Sequence, residues 1–161
     1  MTEKRRWWLN SALLLSALGL PLLMTQAQGQ SASEGAAPSR TYQPKFSGDP
    51  ARSESEAEAL GYMRVVLRAQ RTYKQRHGRY AGSLAQLAGT GSFTKRMAQT
   101  TDRGDYTVSF RAHRSDDQEG FVLSMTPKQI DSDHRSFYAA EDGIIRGDDQ
   151  KAADADSPRL K

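Results

Sequence analysis

The sequence predicts an α+β domain, one long N-terminal helix packed on a three- to four-stranded antiparallel sheet. Three observations predict it. Only one long segment, Ser53 to His77, sustains a 3.6-residue apolar repeat. Downstream, short runs alternate apolar and polar residues with the period of half-buried strands. The helix comes first and the strands follow in series, the order of a sheet with its helix on one face.

Composition bounds the rest. The 161 residues are 37% hydrophobic with a mean hydropathy of −0.74, enough for one domain with a small core. The net charge is +4, but residues 1–29 hold Lys4, Arg5, Arg6 and Glu3, two net positive charges, so the remainder carries only +2. Positive and negative residues are interleaved, without a basic stripe carrying aromatics. This argues against nucleic acid as a partner. The absence of cysteine excludes disulfides, thiolate chemistry and cysteine zinc sites.

Residues 1–29 have the layout of a signal peptide. Lys4 to Arg6 form a charged beginning, Ser11 to Met24 an apolar run, and Thr25-Gln26-Ala27 or Ala27-Gln28-Gly29 a small-residue cleavage site. Arg5-Arg6-Trp7-Trp8-Leu9 loosely resembles a twin-arginine export signal, which leaves that route open beside the general one. The alternative is an uncleaved anchor, since Trp7 to Met24 is 18 residues, near the ~20 that span a bilayer. Pro21 and Asn10 favour cleavage. Either way the expected location is extracytoplasmic, periplasmic or secreted, with inner-membrane anchoring as the variant. Residues 30–50, rich in Ser, Gly, Ala and Pro, read as a flexible linker in which Tyr42 and Phe46 are isolated aromatics.

The domain is expected over residues 51–147. Asp49-Pro50 and Ser53-x-x-Glu56 offer alternative helix starts, the second a capping box. Glu54, Glu56 and Glu58 suit the positive end of the helix dipole, and Arg71, Lys74, Arg76 and His77 suit the negative end. Gly78 supplies a left-handed stop. Ala59, Tyr62, Met63, Val66, Gln70 and Tyr73 form the inward stripe, widened by Leu60 and Leu67, with Arg64, Arg68, Arg71 and Lys74 opposite. Gly61 lowers helix propensity by ~1 kcal/mol relative to alanine. Ser83 to Leu87 makes a one-turn helix, and Gly89 to Gly104 a polar loop with Phe93 and Met97 as anchors. Strands follow at Tyr106–Ala112, Phe121–Met125, Ser136–Ala140 and Ile144–Arg146, the last two joined by an Asp142-Gly143 turn. Residues 148–161, all but devoid of large apolar groups, read as a disordered tail.

The helix exit and strands carry a resemblance. Ala69-x-x-x-Tyr73 followed by His77-Gly78-Arg79-Tyr80-Ala81-Gly82-Ser83-Leu84-x-x-Leu87 resembles the exit of the long helix in type IV pilins and type II secretion pseudopilins. Tyr106 to Phe110, Gly120 to Ser124 and Arg135 to Arg146 are similar to the strands of pilin-like proteins. The resemblance spans about Ser53 to Arg146 and implies a pilin-like head. The chain departs from the family at its start: it has no prepilin-peptidase motif, and a linker separates the apolar run from the helix. A head without the polymerising stalk is what this implies. The expected function is a non-enzymatic, exported structural or interaction module, accessory to a type II secretion or type IV pilus system. The alternatives are a membrane-anchored atypical minor pilin or pseudopilin filament subunit, and a small exported ligand-binding protein.

No catalytic, cofactor-binding or metal-ligating residue is assigned, and no cofactor is expected. His77, His113 and His134 lack ligand spacing with one another. Asp131, Asp133, Glu141 and Asp142, with Asp116, Asp117 and Glu119, are loop carboxylates of the kind some pseudopilins use for calcium, but no EF-hand loop frames them. There is no Gly-x-Ser-x-Gly elbow, and Gly89-Thr90-Gly91-Ser92 lacks the lysine of a phosphate loop. The arginine face of the helix offers two readings, a solvated surface or a contact for an acidic partner or lipid headgroups. The partners expected are envelope, secretion or pilus proteins, and the membrane only if the N-terminal segment is retained.

Overall fold

Helix α1 runs Glu54–His77, where the apolar repeat placed it. Ser53 is its N-cap, extended at φ −141 and accepting from the Glu56 N–H, and Gly78 closes it in the left-handed region at φ 71. The computed structural model describes residues 42–114 and 119–160, which lie within one unit, Ser39–Lys161. The expectations for residues 1–29 and 30–41 lie outside the described residues. Among the described residues, no helix is long and apolar enough to cross a membrane.

Two one-turn helices follow, α2 (Leu84–Leu87) and α3 (Lys95–Ala98), capped by Ser83 and Thr94. The second falls in the stretch expected to be a loop. Phe93, just before it, is buried, and Met97 packs against the core, so both serve as the anchors their isolation suggested.

The sheet has five strands, not three to four: β1 (Asp102–Arg103), β2 (Tyr106–Arg114), β3 (Glu119–Pro127), β4 (Ser136–Ala140) and β5 (Ile145–Asp148). They form an antiparallel meander in chain order. The added strand, β1, is two polar residues without alternation. It forms because β2 offers it a backbone edge, and Val108 N–H donates to Thr101 O at 2.7 Å. Strands β2 and β3 also outrun their apolar pattern, since backbone pairing continues through His113↔Gly120 and Arg114↔Glu119.

One face of the sheet meets α1. Met63, Val66 and Leu60 from the helix share a core with Val108, Phe121, Leu123, Met125, Phe137 and Ala139 from the strands. Two polar residues are fully buried in it. Gln70 uses its amide as a backbone surrogate, accepting from Ala81 N–H at 2.9 Å and donating to Ala81 O at 3.2 Å. That pair fixes the chain leaving α1.

Glu56 is the second. Its Oε1 accepts from the Arg135 N–H and Nε, each at 2.9 Å, and its Oε2 from Arg135 Nη2 at 2.7 Å and Arg52 N–H at 2.8 Å. Ser53 plays its half of the expected capping box, but the carboxylate takes Arg52 N–H and a guanidinium fork from the loop before β4. Arg135 Nη2 also donates to Pro50 O at 2.6 Å. Asp49 is not a helix cap. It orders the approach by accepting from Tyr42 Oη at 2.5 Å, Lys45 N–H at 3.0 Å and Ala51 N–H at 3.2 Å. The described end of the expected linker is therefore folded onto the domain.

The expectation of a disordered tail from residue 148 is corrected. Buried Ser136 accepts from Ala153 N–H at 2.8 Å and donates to the tail backbone, and Ala153 and Ser157 are themselves buried. Gly147 N–H donates to Pro158 O at 3.0 Å and Leu160 N–H to Ile145 O at 2.9 Å, so the tail covers the outer edge of β5. Aspartates 148 and 154 tie down the turns between. A composition poor in apolar groups misses this, because backbone and side-chain hydrogen bonds hold the segment.

Candidate functional site

The arginine face of α1 borders a groove. The sequence reading set Arg64, Arg68, Arg71 and Lys74 opposite the apolar stripe, and the structure divides them. Arg64, Arg68 and Arg71 stand beside Leu60 and Leu67 and form one wall of an open groove of about 540 Å³. Leu60 precedes Arg64, and Leu67 precedes Arg71, by one helical turn, so they share a face by i, i+4 spacing. Lys74 faces elsewhere, its ammonium 4.1 Å from the centre of the Tyr80 ring.

Ile144, Ile145, Leu160 and Phe46 line the same groove. The β4–β5 connection brings the first two. It spans four residues, 141–144, rather than a two-residue turn. Gly143, at φ 70, lets it close, and Asp142 Oδ1 accepts from Ile144 N–H at 3.0 Å. The tail brings Leu160. Phe46 is 51% exposed, and the Arg64 guanidinium lies 5.3 Å from its ring centre.

The electrostatics of the groove are one-sided. Among the described residues, its lining includes three guanidinium groups and no carboxylate. The nearest carboxylates along the chain are engaged elsewhere. Tyr42's hydroxyl holds the Asp49 carboxyl below its ordinary value, with backbone N–H groups and the field of Arg64 adding to it. Burial pushes the Asp142 carboxyl up, but its pair with Arg146 at 2.8 Å and the Ile144 N–H together hold it below its ordinary value. Among the described residues, no ion pair uses Arg64, Arg68 or Arg71.

The histidines and loop carboxylates do not converge. His77 stacks on Tyr73 with ring centres 4.2 Å apart. His134 Nδ1 lies 2.8 Å from Asp131, which also accepts from Asp133 N–H, so that loop closes on itself. The Asp133 N–H is the leading cause holding Asp131 below its ordinary value. His113 lies across from Gly120, where an added Cβ would come within 2.6 Å of its ring and 2.8 Å of Glu141. Glu119 accepts from Tyr80 N–H at 2.6 Å, pinning the helix exit to the β2–β3 hairpin. Asp116 and Asp117 lie outside the described residues. Among the described residues, no group of three or more such side chains is placed to hold a metal ion.

Comparisons with protein-family models, curated proteins and solved structures return no match. The chain's own geometry must carry any functional reading. The groove is the feature sequence reasoning missed. Its arginines were visible, but Ile144, Ile145 and Leu160 come from a loop and a tail that folding alone brings beside them. The signal available was the i, i+4 placement of Leu60 before Arg64 and of Leu67 before Arg71.

Proposed function

We propose that this chain is a non-enzymatic, exported interaction module with a pilin-like head, accessory to a type II secretion or type IV pilus system. The observation that carries this reading is the start of α1. A helix that continued a stalk would pass through residues 50–53 without interruption. Here Ser53 is extended, its hydroxyl caps the first turn, and Glu56 is locked by Arg52 N–H and the Arg135 fork. The helix begins inside the folded domain, behind an approach from Tyr42 to Ala51 that is itself tied down.

The residues that carry the resemblance support it further, since they fall in the expected order on α1, Gly78, α2, β2, β3, β4 and β5. The groove beside Arg64, Arg68 and Arg71 gives the module a contact surface. Residues 1–29 supply the export signal in this reading, and envelope or secretion proteins are its partners.

The test is intact mass and fractionation of the protein expressed in a Gram-negative host. A chain processed near residue 29 and recovered in the soluble extracytoplasmic fraction is the expected result. Recovery of the chain in sheared filaments, or in membranes with residues 7–24 retained, would replace this reading with that of a filament subunit.

A further inference from the structure

We propose that the groove beside α1 docks an extended acidic peptide segment in which carboxylate and apolar side chains alternate. The assignment names the partner chemistry of the interaction module and rests on that reading.

The two walls differ in kind. One carries Arg64, Arg68 and Arg71, and the other Ile144, Ile145 and Leu160. An extended chain points successive side chains to opposite sides, so a segment lying along the groove can face one wall with every second residue. The spacing also agrees. Four helical residues rise about 6 Å from Arg64 to Arg68, and alternate residues of an extended chain repeat every ~6.7 Å. Carboxylates two apart therefore match the step from Arg64 to Arg68, with Arg71 a shorter ~4.5 Å further on, while the residues between them meet the isoleucines and Leu160.

Charge points the same way. The three arginines have no carboxylate partner among the described residues, and Asp49 and Asp142 are already engaged. Guanidinium forks bind carboxylates through two parallel hydrogen bonds, which fixes orientation as well as affinity. The volume of about 540 Å³ is of the order of ligand clefts, roughly 300–1,000 Å³, although this groove is open. Anionic lipid headgroups would satisfy the arginines, but a planar membrane surface does not fill a concave site or use its apolar wall.

The test is fluorescence anisotropy with the purified full-length chain and a labelled nine-residue peptide of alternating glutamate and valine. The controls are the same peptide with serine in place of valine, one with lysine in place of glutamate, and vesicles containing phosphatidylglycerol. Saturable binding of the glutamate–valine peptide is expected, at least tenfold tighter than either control peptide. Arg68→Glu, at an exposed position, is expected to weaken it at least tenfold with an unchanged circular dichroism spectrum. Lys74→Glu, outside the groove, is expected to change it less than twofold. Equal affinity for the serine peptide, equal effects of the two substitutions, or binding to vesicles without binding to the peptide would each overturn the proposal. A protein that is exported and processed yet ignores the peptides loses this assignment alone. One that binds them but is found in filaments loses the module reading alone.

Discussion

Replacing Glu56 by alanine is expected to be among the most destabilising single changes in this domain. The side chain is completely buried, and its carboxylate accepts four hydrogen bonds, three of them from Arg135. Arg135 itself is only 8% exposed at its side chain. Without Glu56 its guanidinium keeps Pro50 O, and Asp149 is no closer than 3.9 Å. Leaving one partner of a buried pair uncompensated costs ~3–5 kcal/mol, a large part of the ~5–15 kcal/mol that holds a domain folded. The lower half of that range applies here, since Pro50 and water entering the cavity relieve part of the charge, which gives about 3–4 kcal/mol. At ~4 °C per kcal/mol for a domain between the small and mid-sized classes, Tm falls by roughly 12–16 °C. Urea unfolding followed by circular dichroism measures it, in a cycle with Arg135→Met and the double variant. The double variant should be little worse than either single one, because it removes both charges together, giving a coupling energy of about 3 kcal/mol. A cost below ~1 kcal/mol for Glu56→Ala, or strictly additive single changes, would refute the view that this pair locks the start of α1 to the sheet.

Gly61→Ala should stabilise the domain by about 0.5–1 kcal/mol, because an added Cβ meets nothing within 4 Å and α1 gains helix propensity; a lower urea midpoint would show that the glycine is needed. Truncation after Gln150 should lower stability by at least about 2 kcal/mol, through the two backbone bonds it removes from β5 and the partners it takes from buried Ser136, and should promote self-association on size-exclusion chromatography by baring that edge. Asp154 is held at about 2, first by the Lys151 ammonium and then by Ser157. A folded pKa below the ordinary value means stability present above about pH 4 and lost as pH falls through about 2, so Asp154→Asn should flatten the acid limb of the unfolding profile between about pH 5 and 2.

Some of the architecture was legible because local rules and tertiary needs coincide. The apolar repeat from Ala59 to Gln70, the cap at Ser53 and the left-handed Gly78 each act within one turn of chain, and each stands where the sequence put it. Alternation located β2, β3 and β4 because one face of each is buried. The misreadings share a cause. Strand β1, the folded tail and the extended ends of β2 and β3 are held by backbone hydrogen bonds to segments distant in the chain or by exposed pairs, and such bonds leave no mark on apolar periodicity.

By itself, then, the sequence determined the helix, its limits and the order of the main strands, because period and capping are properties of neighbouring residues. Only the tertiary structure decided what Glu56 does. In sequence it is one acidic residue among three at a helix start, and in the fold it is the buried acceptor for Arg135, 79 residues away. The same holds for the groove. Its arginine wall is written along one helix, but its apolar wall exists only because Gly143 turns the β4–β5 loop and the tail returns Leu160 to the edge of β5. Side chains far apart in the chain meet only through packing, and packing is not a local property.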